Sequence, residues 1–96
     1  MRVLESIFMI KKEFKIKNKT GLHARPAALL VKTTGKFKSN IFISKDGFEV
    51  NGKSIMGVMT LAAEPGSVIE VTIDGEDENE AMQALKDLIV NDFYEN

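Results

Sequence analysis

Residues 20–30, TGLHARPAALL, decide how this chain is read. They contain its one histidine, His23, followed two residues on by Arg25 and then by Pro26. A turn-forming stretch gives way here to a run of good helix formers. Downstream, Ala27, Leu30, Val31 and Thr34 fall at helical spacing, and Gly35 suits the C′ position, so a helix is expected to open at His23 and close near Gly35.

The flanking segments set the fold class. In MIKKEFKIKN (9–18), Ile10, Phe14 and Ile16 share one face while Lys11, Glu13, Lys15 and Lys17 take the other, the signature of a half-buried strand. SNIFIS and FEVNG flank the turn KDG and read as a hairpin. KSIMGVMTLA is a brief helix that Ser54 can cap through its side-chain oxygen. SVIEVTI directs Ile69, Val71 and Ile73 inward as a fourth strand. DGEDENEAMQALKDLIVNDF is the clearest helix, its apolar face made by Ala81, Leu85, Leu88 and Phe93 with Met82 and Ile89. Asp77 and Glu80 have the spacing of an acidic cap with its box glutamate, and the acidic run Glu76–Glu80 suits the positive end of a helix dipole. The order strand, helix, strand, strand, helix, strand, helix favours an α+β layer: a four-stranded antiparallel sheet with three helices on one face. Residues 1–8 precede the first strand and read as an extension to one domain spanning 9–96.

Composition removes several function classes. The 96 residues suit one domain, and a net charge of −1 gives no reason to expect nucleic acid or a membrane surface as partner. With no cysteine and one histidine, neither disulfides nor a conventional metal site is expected. No run approaches the ~18 apolar residues of a membrane span. MRVLESIFMIKKEF lacks a long apolar core and a small-residue cleavage site, so a cytoplasmic protein without a signal peptide is expected. No cofactor is called for.

By spacing alone, His23 also fits a solvated residue or a cap. Three features favour chemistry. The first N–H groups of a helix have no intrahelical partners and lie at its positive end, a ready anion site suited to phosphate. Arg25 adds a planar fork of donors that matches phosphate oxygens. Pro26, in the first turn, gives up an N–H that needed no helical partner and stiffens the site. The guanidinium and the helix end both disfavour imidazolium, leaving a neutral ring whose lone pair can attack a phosphoryl group. No positioned base or metal is evident for hydrolysis, so an acceptor that hands its cargo on is favoured over an enzyme that consumes it.

GLHARPAALLV (21–31) followed by NGKSIMGVMTL (51–61) resembles HPr, the family of histidine-containing phosphocarriers of the bacterial phosphoenolpyruvate–sugar phosphotransferase system. The resemblance runs from about Met9 to the C-terminus. It implies an open-faced β-sandwich. It further implies that His23 accepts phosphate on Nδ1 from phosphorylated enzyme I and passes it to the A components of sugar-specific enzymes II, with Arg25 steadying the group. Ser54 matches the regulatory serine of Gram-positive members, the target of HPr kinase/phosphorylase, and the serine-phosphorylated form acts in that family as corepressor with the catabolite control protein. A docking surface is expected at Leu22, Ile55, Met56 and Met59, apolar and adaptable beside the phosphate site. Gly52 stands where many Gram-positive members carry a bulkier apolar residue, and could loosen the approach to Ser54. Two other readings stay open: a regulatory module working mainly through Ser54, and a small ferredoxin-like interaction domain whose histidine is incidental.

Overall fold

The structure is a computed structural model, and it describes residues 9–95. The extension expected at 1–8 lies outside the described residues. In chain order the elements are β1 (Met9–Lys15), α1 (Ala24–Thr34), β2 (Asn40–Lys45), β3 (Phe48–Asn51), α2 (Ile55–Thr60), β4 (Val68–Asp74) and α3 (Glu78–Val90), with a final 3₁₀ turn at Asp92–Tyr94. The strands form one antiparallel sheet in the order β1-β4-β2-β3. β4 is thus central. It pairs with β1 through Phe14 opposite Ile69, and with β2 through Ile43 opposite Val71.

Alternation decides which face is covered. Ile41, Ile43, Ile69, Val71 and Ile73 are buried at 0–1% exposure and meet Ala27 and Leu30 of α1, Val58 of α2, and Ala81, Leu85, Leu88 and Ile89 of α3. The opposite face carries Lys11, Glu13 and Lys15 in solvent. Burying one such isoleucine stabilises by roughly 1.5–3 kcal/mol. The exposed Lys11–Glu70 pair, at 4.0 Å, is worth at most about 1 kcal/mol. Register therefore follows the inward row, since a one-residue slip would turn every isoleucine outward. The β2–β3 hairpin turns at Asp46 and Gly47, both at positive φ (52° and 82°), the primed turn that matches strand twist.

Three local expectations are corrected. Gly35 follows α1 in a right-handed conformation (φ −64°, ψ −15°), not the left-handed one of a C′ glycine; its N–H simply continues the ladder to Val31 O. Asp77 occupies the cap position of α3 but makes no capping bond. Its carboxylate instead accepts from the Lys38 and Ser39 N–H groups and from the Ser39 hydroxyl, a nearer and richer donor set. The reciprocal carboxylate is Glu78, which accepts from Gly75 N–H at 3.1 Å, so no Asp77–Glu80 box forms. Phe93, finally, lies beyond α3 and not on its face. Asp92, Phe93 and Tyr94 all adopt φ of 52–56°, and this left-handed turn folds the Phe93 ring back into the core at 2% exposure.

Candidate functional site

The loop before α1 is tied down on both sides. Asn18, 2% exposed, donates from Nδ2 to Gly21 O (2.9 Å) and to Glu95 Oε1 (3.1 Å). Gly21 takes φ +66°, and a Cβ there would overlap the Ala63 carbonyl oxygen. Only glycine meets both demands. Leu22 N–H then donates to Ala63 O at 2.8 Å. This bond turns the Leu22 side chain into the core, where it is 2% exposed. The expectation that Leu22 forms part of an exposed docking patch is therefore corrected.

His23 comes next, as the N-cap of α1, with extended backbone (φ −77°, ψ −172°). Its carbonyl accepts from Ala27 N–H at 2.9 Å, the first bond of the helix. Its side chain makes no capping bond, so the exposed ring is not committed to the helix end. Pro26 sits in the first turn, ahead of the first donor the ladder needs, and is buried. The N–H groups of Ala24 and Arg25 precede that donor and supply the positive end of the helix dipole. The ring lines a shallow cavity of about 160 Å³ with Leu22, Met59, Ala62, Ala63 and Glu64. A small open site of this kind suits a transient group better than a ligand held for long.

Arg25 is exposed on the same turn, but it lines a different concavity, of about 630 Å³, with Lys19, Thr20, Lys32, Tyr94 and Glu95 among its neighbours. The two residues named by the motif flank one helix end from two sides. The structure thus joins His23 with Met59, and Arg25 with the C-terminal turn.

Ser54 caps α2 with extended backbone, and its Oγ accepts from Gly57 N–H at 3.0 Å. Its approach is held firmly. Gly52 N–H donates to Ile41 O (2.7 Å), and Gly52 O accepts from the Thr34 hydroxyl (2.8 Å). A Cβ on Gly52 would lie 2.8 Å from Ile41 Cγ2, so a larger residue there would need the Ile41 side chain to shift. The Gly52 backbone is thus bonded through both its N–H and its carbonyl. Lys53 Nζ donates to Phe37 O at 2.6 Å, a second tie between α2 and the end of α1. Beyond Ser54, Ile55, Met56 and Met59 are 39%, 69% and 38% exposed. All three are exposed apolar side chains next to Ser54, and Met59 also lines the histidine cavity.

Sequence reasoning missed Asn18, Thr20 and Glu95. The Thr20 hydroxyl donates to Glu95 Oε2 at 2.7 Å, and the Thr20 N–H to Oε1 at 3.4 Å. Asn and Thr in a loop signal a turn, but no local pattern identifies a carboxylate 75 residues away. Among the described residues, no helix is long and apolar enough to cross a membrane.

Comparison with known proteins agrees with this geometry. Residues 10–91 match the family described as PTS HPr component phosphorylation site. The phosphocarrier protein HPr of Xylella fastidiosa is 59% identical over 87 residues, covering 91% of this chain and 98% of its own length. The HPr-like protein Crh of Halalkalibacterium halodurans is 56% identical over 77 residues, covering 80% of this chain and 92% of its own. The crystal structure of HPr-C-His from Thermoanaerobacter tengcongensis superposes with a TM-score of 0.88 at 52% identity, covering 91% of this chain and 98% of that one. An open-faced sandwich, a histidine free at a helix N-terminus and these relatives lead to one conclusion: the chain belongs to the HPr family of phosphocarriers of the phosphotransferase system.

Proposed function

We propose that His23 is the phosphoryl acceptor, that phosphorylated enzyme I is the donor, and that the A components of sugar-specific enzymes II are the receivers. The observation that carries this reading is the uncommitted ring of His23 at the N-cap of an eleven-residue helix. The Nδ1 lone pair attacks phosphorus; the bond from phosphorus to the donor breaks as the new P–N bond forms. On donation the same exchange runs to the next acceptor: the P–N bond breaks as the new bond to phosphorus forms, and Nδ1 of His23 recovers its lone pair. Free N–H groups at the helix end meet the charge of the PO₃ group in flight, and the Arg25 guanidinium, which lines the neighbouring concavity in the free chain, reaches it by rotating its long side chain. A carrier must not bind its cargo too well. Every ~1.4 kcal/mol of stabilisation peculiar to the phosphorylated form is tenfold against donation, and an open site with one arginine is compatible with that limit.

Residues 9–96 act as the carrier domain, with 1–8 as an extension, and the protein works in the cytoplasm. Incubation with phosphoenolpyruvate and purified enzyme I tests the proposal. An acid-labile phosphohistidine should form on the parent chain, chase onto an enzyme II A component, and be absent from His23→Ala. A chain that takes up no label, or a His23→Ala variant that still does, refutes it.

A second reading, regulation through phospho-Ser54, has its own support. Ser54 stands at a helix N-terminus beside exposed Ile55 and Met56, and solved relatives include the Crh of Bacillus subtilis, named for catabolite repression. A phosphate there brings about −1.5 to −2 charges to a place where negative charge is welcome, and disturbs partners more than the fold. HPr kinase/phosphorylase would be the modifying enzyme and the catabolite control protein a partner of the modified form. Labelling at Ser54 with ATP and the kinase, in a chain that enzyme I leaves unlabelled, would favour this reading over the first.

A further inference from the structure

The C-terminal turn is built to present one side chain. Asp92, Phe93 and Tyr94 hold three successive left-handed conformations, which non-glycine residues adopt at a cost and keep only where surroundings hold them. Three side-chain contacts hold this turn: the Phe93 ring in the core, the Tyr94 hydroxyl donating to Asp87 Oδ2 at 2.6 Å, and the Glu95 carboxylate on the loop before α1. That carboxylate accepts from the Thr20 hydroxyl, the Thr20 N–H and Asn18 Nδ2. These donors hold its pKa below the usual carboxylate range, the Thr20 hydroxyl contributing most. Asn18 completes the connection, because the same Nδ2 that meets Glu95 also meets the carbonyl of Gly21, two residues before His23. The opposite side of the loop is fixed by Leu22 N–H on Ala63 O. The loop thus has two clamps, and one of them is a charged side chain from the far end of the sequence.

We infer that Glu95 is a positioning residue for the phosphoryl acceptor: its carboxylate, through Asn18 and Thr20, sets the loop geometry that delivers His23 to the N-terminus of α1. This rests on the carrier reading above. Glu95 need touch neither phosphate nor partner. Its effect reaches the ring through the Asn18 bridge to Gly21, and its anion faces the same cleft as Arg25 and Lys19.

The full chain, Glu95→Ala, Glu95→Gln, Thr20→Val and the Glu95→Ala/Thr20→Val double variant are compared in two measurements. The first is the rate of phosphoryl uptake from enzyme I at saturating and subsaturating carrier, alongside the unfolding temperature. The second is the set of ¹⁵N resonances of the His23 ring and the Gly21 amide in the free protein. Glu95→Ala should slow uptake on the order of threefold to tenfold at saturation, the scale of one ordinary net hydrogen bond. It should also move the ring and Gly21 resonances. Glu95→Gln, which keeps one acceptor oxygen, should recover part of both, and the double variant should be no worse than Glu95→Ala because both act through one contact.

Parent-like uptake in Glu95→Ala overturns the inference. So does a loss that simply tracks the unfolding temperature with no recovery by glutamine. Should the parent chain itself take up no phosphoryl group, the carrier reading fails, and unmoved His23 and Gly21 resonances would separately remove the clamp.

Discussion

Ser39 gives both its backbone N–H, at 3.0 Å, and its hydroxyl to Asp77 Oδ1, across a separation of 38 residues. The Lys38 N–H reaches Oδ2 of the same carboxylate at 2.8 Å. This cluster ties the entry to β2 to the start of α3. It also crowds Gly75, where a Cβ would lie 2.6 Å from Ser39 Cα. The Ser39 hydroxyl first, and the Lys38 N–H second, hold the Asp77 carboxyl down to about 2 from an ordinary 3.8. A carboxyl more acidic in the folded than in the unfolded chain contributes stability that is fully present above its unfolded value and is lost as pH falls through its folded one. Asp77→Asn should therefore unfold at lower urea than the parent at neutral pH. The gap should narrow between pH 3.8 and about 2, the interval set by those two values. Urea titrations across that range check it; a gap independent of pH would show that the carboxylate charge is not what matters.

Gly21 meets two demands at once, φ of +66° and close approach to Ala63. Gly21→Ala should destabilise the chain by about 1–3 kcal/mol, the scale of a strained left-handed residue, with overpacking added. The displaced loop should also slow phosphoryl uptake at His23. Gly47→Ala is the control, since its φ is also positive (+82°) but nothing lies within 4 Å of a Cβ there. It should cost less stability and leave uptake unchanged. Urea unfolding and the enzyme I assay on both variants decide the point.

What could be read in advance follows from the range of the interaction. Ile41, Ile43, Ile69, Val71 and Ile73 alternate, so their strands and buried face were evident from period alone, and Ser54 announced its cap by its place before Ile55. Leu22 had no period to orient it; the bond to Ala63 O turns it inward, and that partner lies far along the chain. Asp77 and Glu80 had the spacing of a local cap, but spacing cannot show that Ser39 competes for the same oxygens. Phe93 continued the helical face on paper, until the left-handed turn after Asn91 broke it. At the site, His23, Arg25 and Ser54 lie within short motifs, whereas Asn18, Thr20 and Glu95 meet only through the fold. Strand order was hidden for the same reason: β4 pairs with β1 and β2 through residues far apart in sequence.

Arg25 is exposed, two residues after His23, and lines the cleft that also holds Glu95. Its guanidinium offers two parallel N–H groups to a phosphoryl group, which lysine cannot reproduce. Arg25→Ala should slow both uptake from enzyme I and donation to an enzyme II A component, on the order of tenfold or more for loss of a charge-assisted contact of about 1.5–3 kcal/mol. Arg25→Lys should recover only part of the rate. Since Arg25 is solvated, neither change should alter the unfolding temperature appreciably. Stopped-flow phosphoryl transfer with each partner, paired with thermal unfolding, tests all three statements, and unchanged rates with both partners would contradict the role given to this residue.

Ser54 separates fold from docking. Its Oγ accepts from Gly57 N–H at 3.0 Å, so Ser54→Ala should destabilise by about 1 kcal/mol. Aspartate caps as well as serine does, so Ser54→Asp should leave thermal stability close to that of the parent. The two variants should reverse their order in binding enzyme I. Ser54→Ala leaves the surface of Ile55, Met56 and Met59 uncharged, and its affinity should match the parent. Ser54→Asp places a carboxylate at the edge of that surface, where docking would remove water from it with no cation shown to receive it. Its affinity should fall on the order of tenfold, the 1.4 kcal/mol scale of a partly desolvated charge. Calorimetric titration of both variants with enzyme I gives the answer. Equal affinity for Ser54→Asp and the parent would mean that the apolar patch beyond Ser54 is not where enzyme I sits.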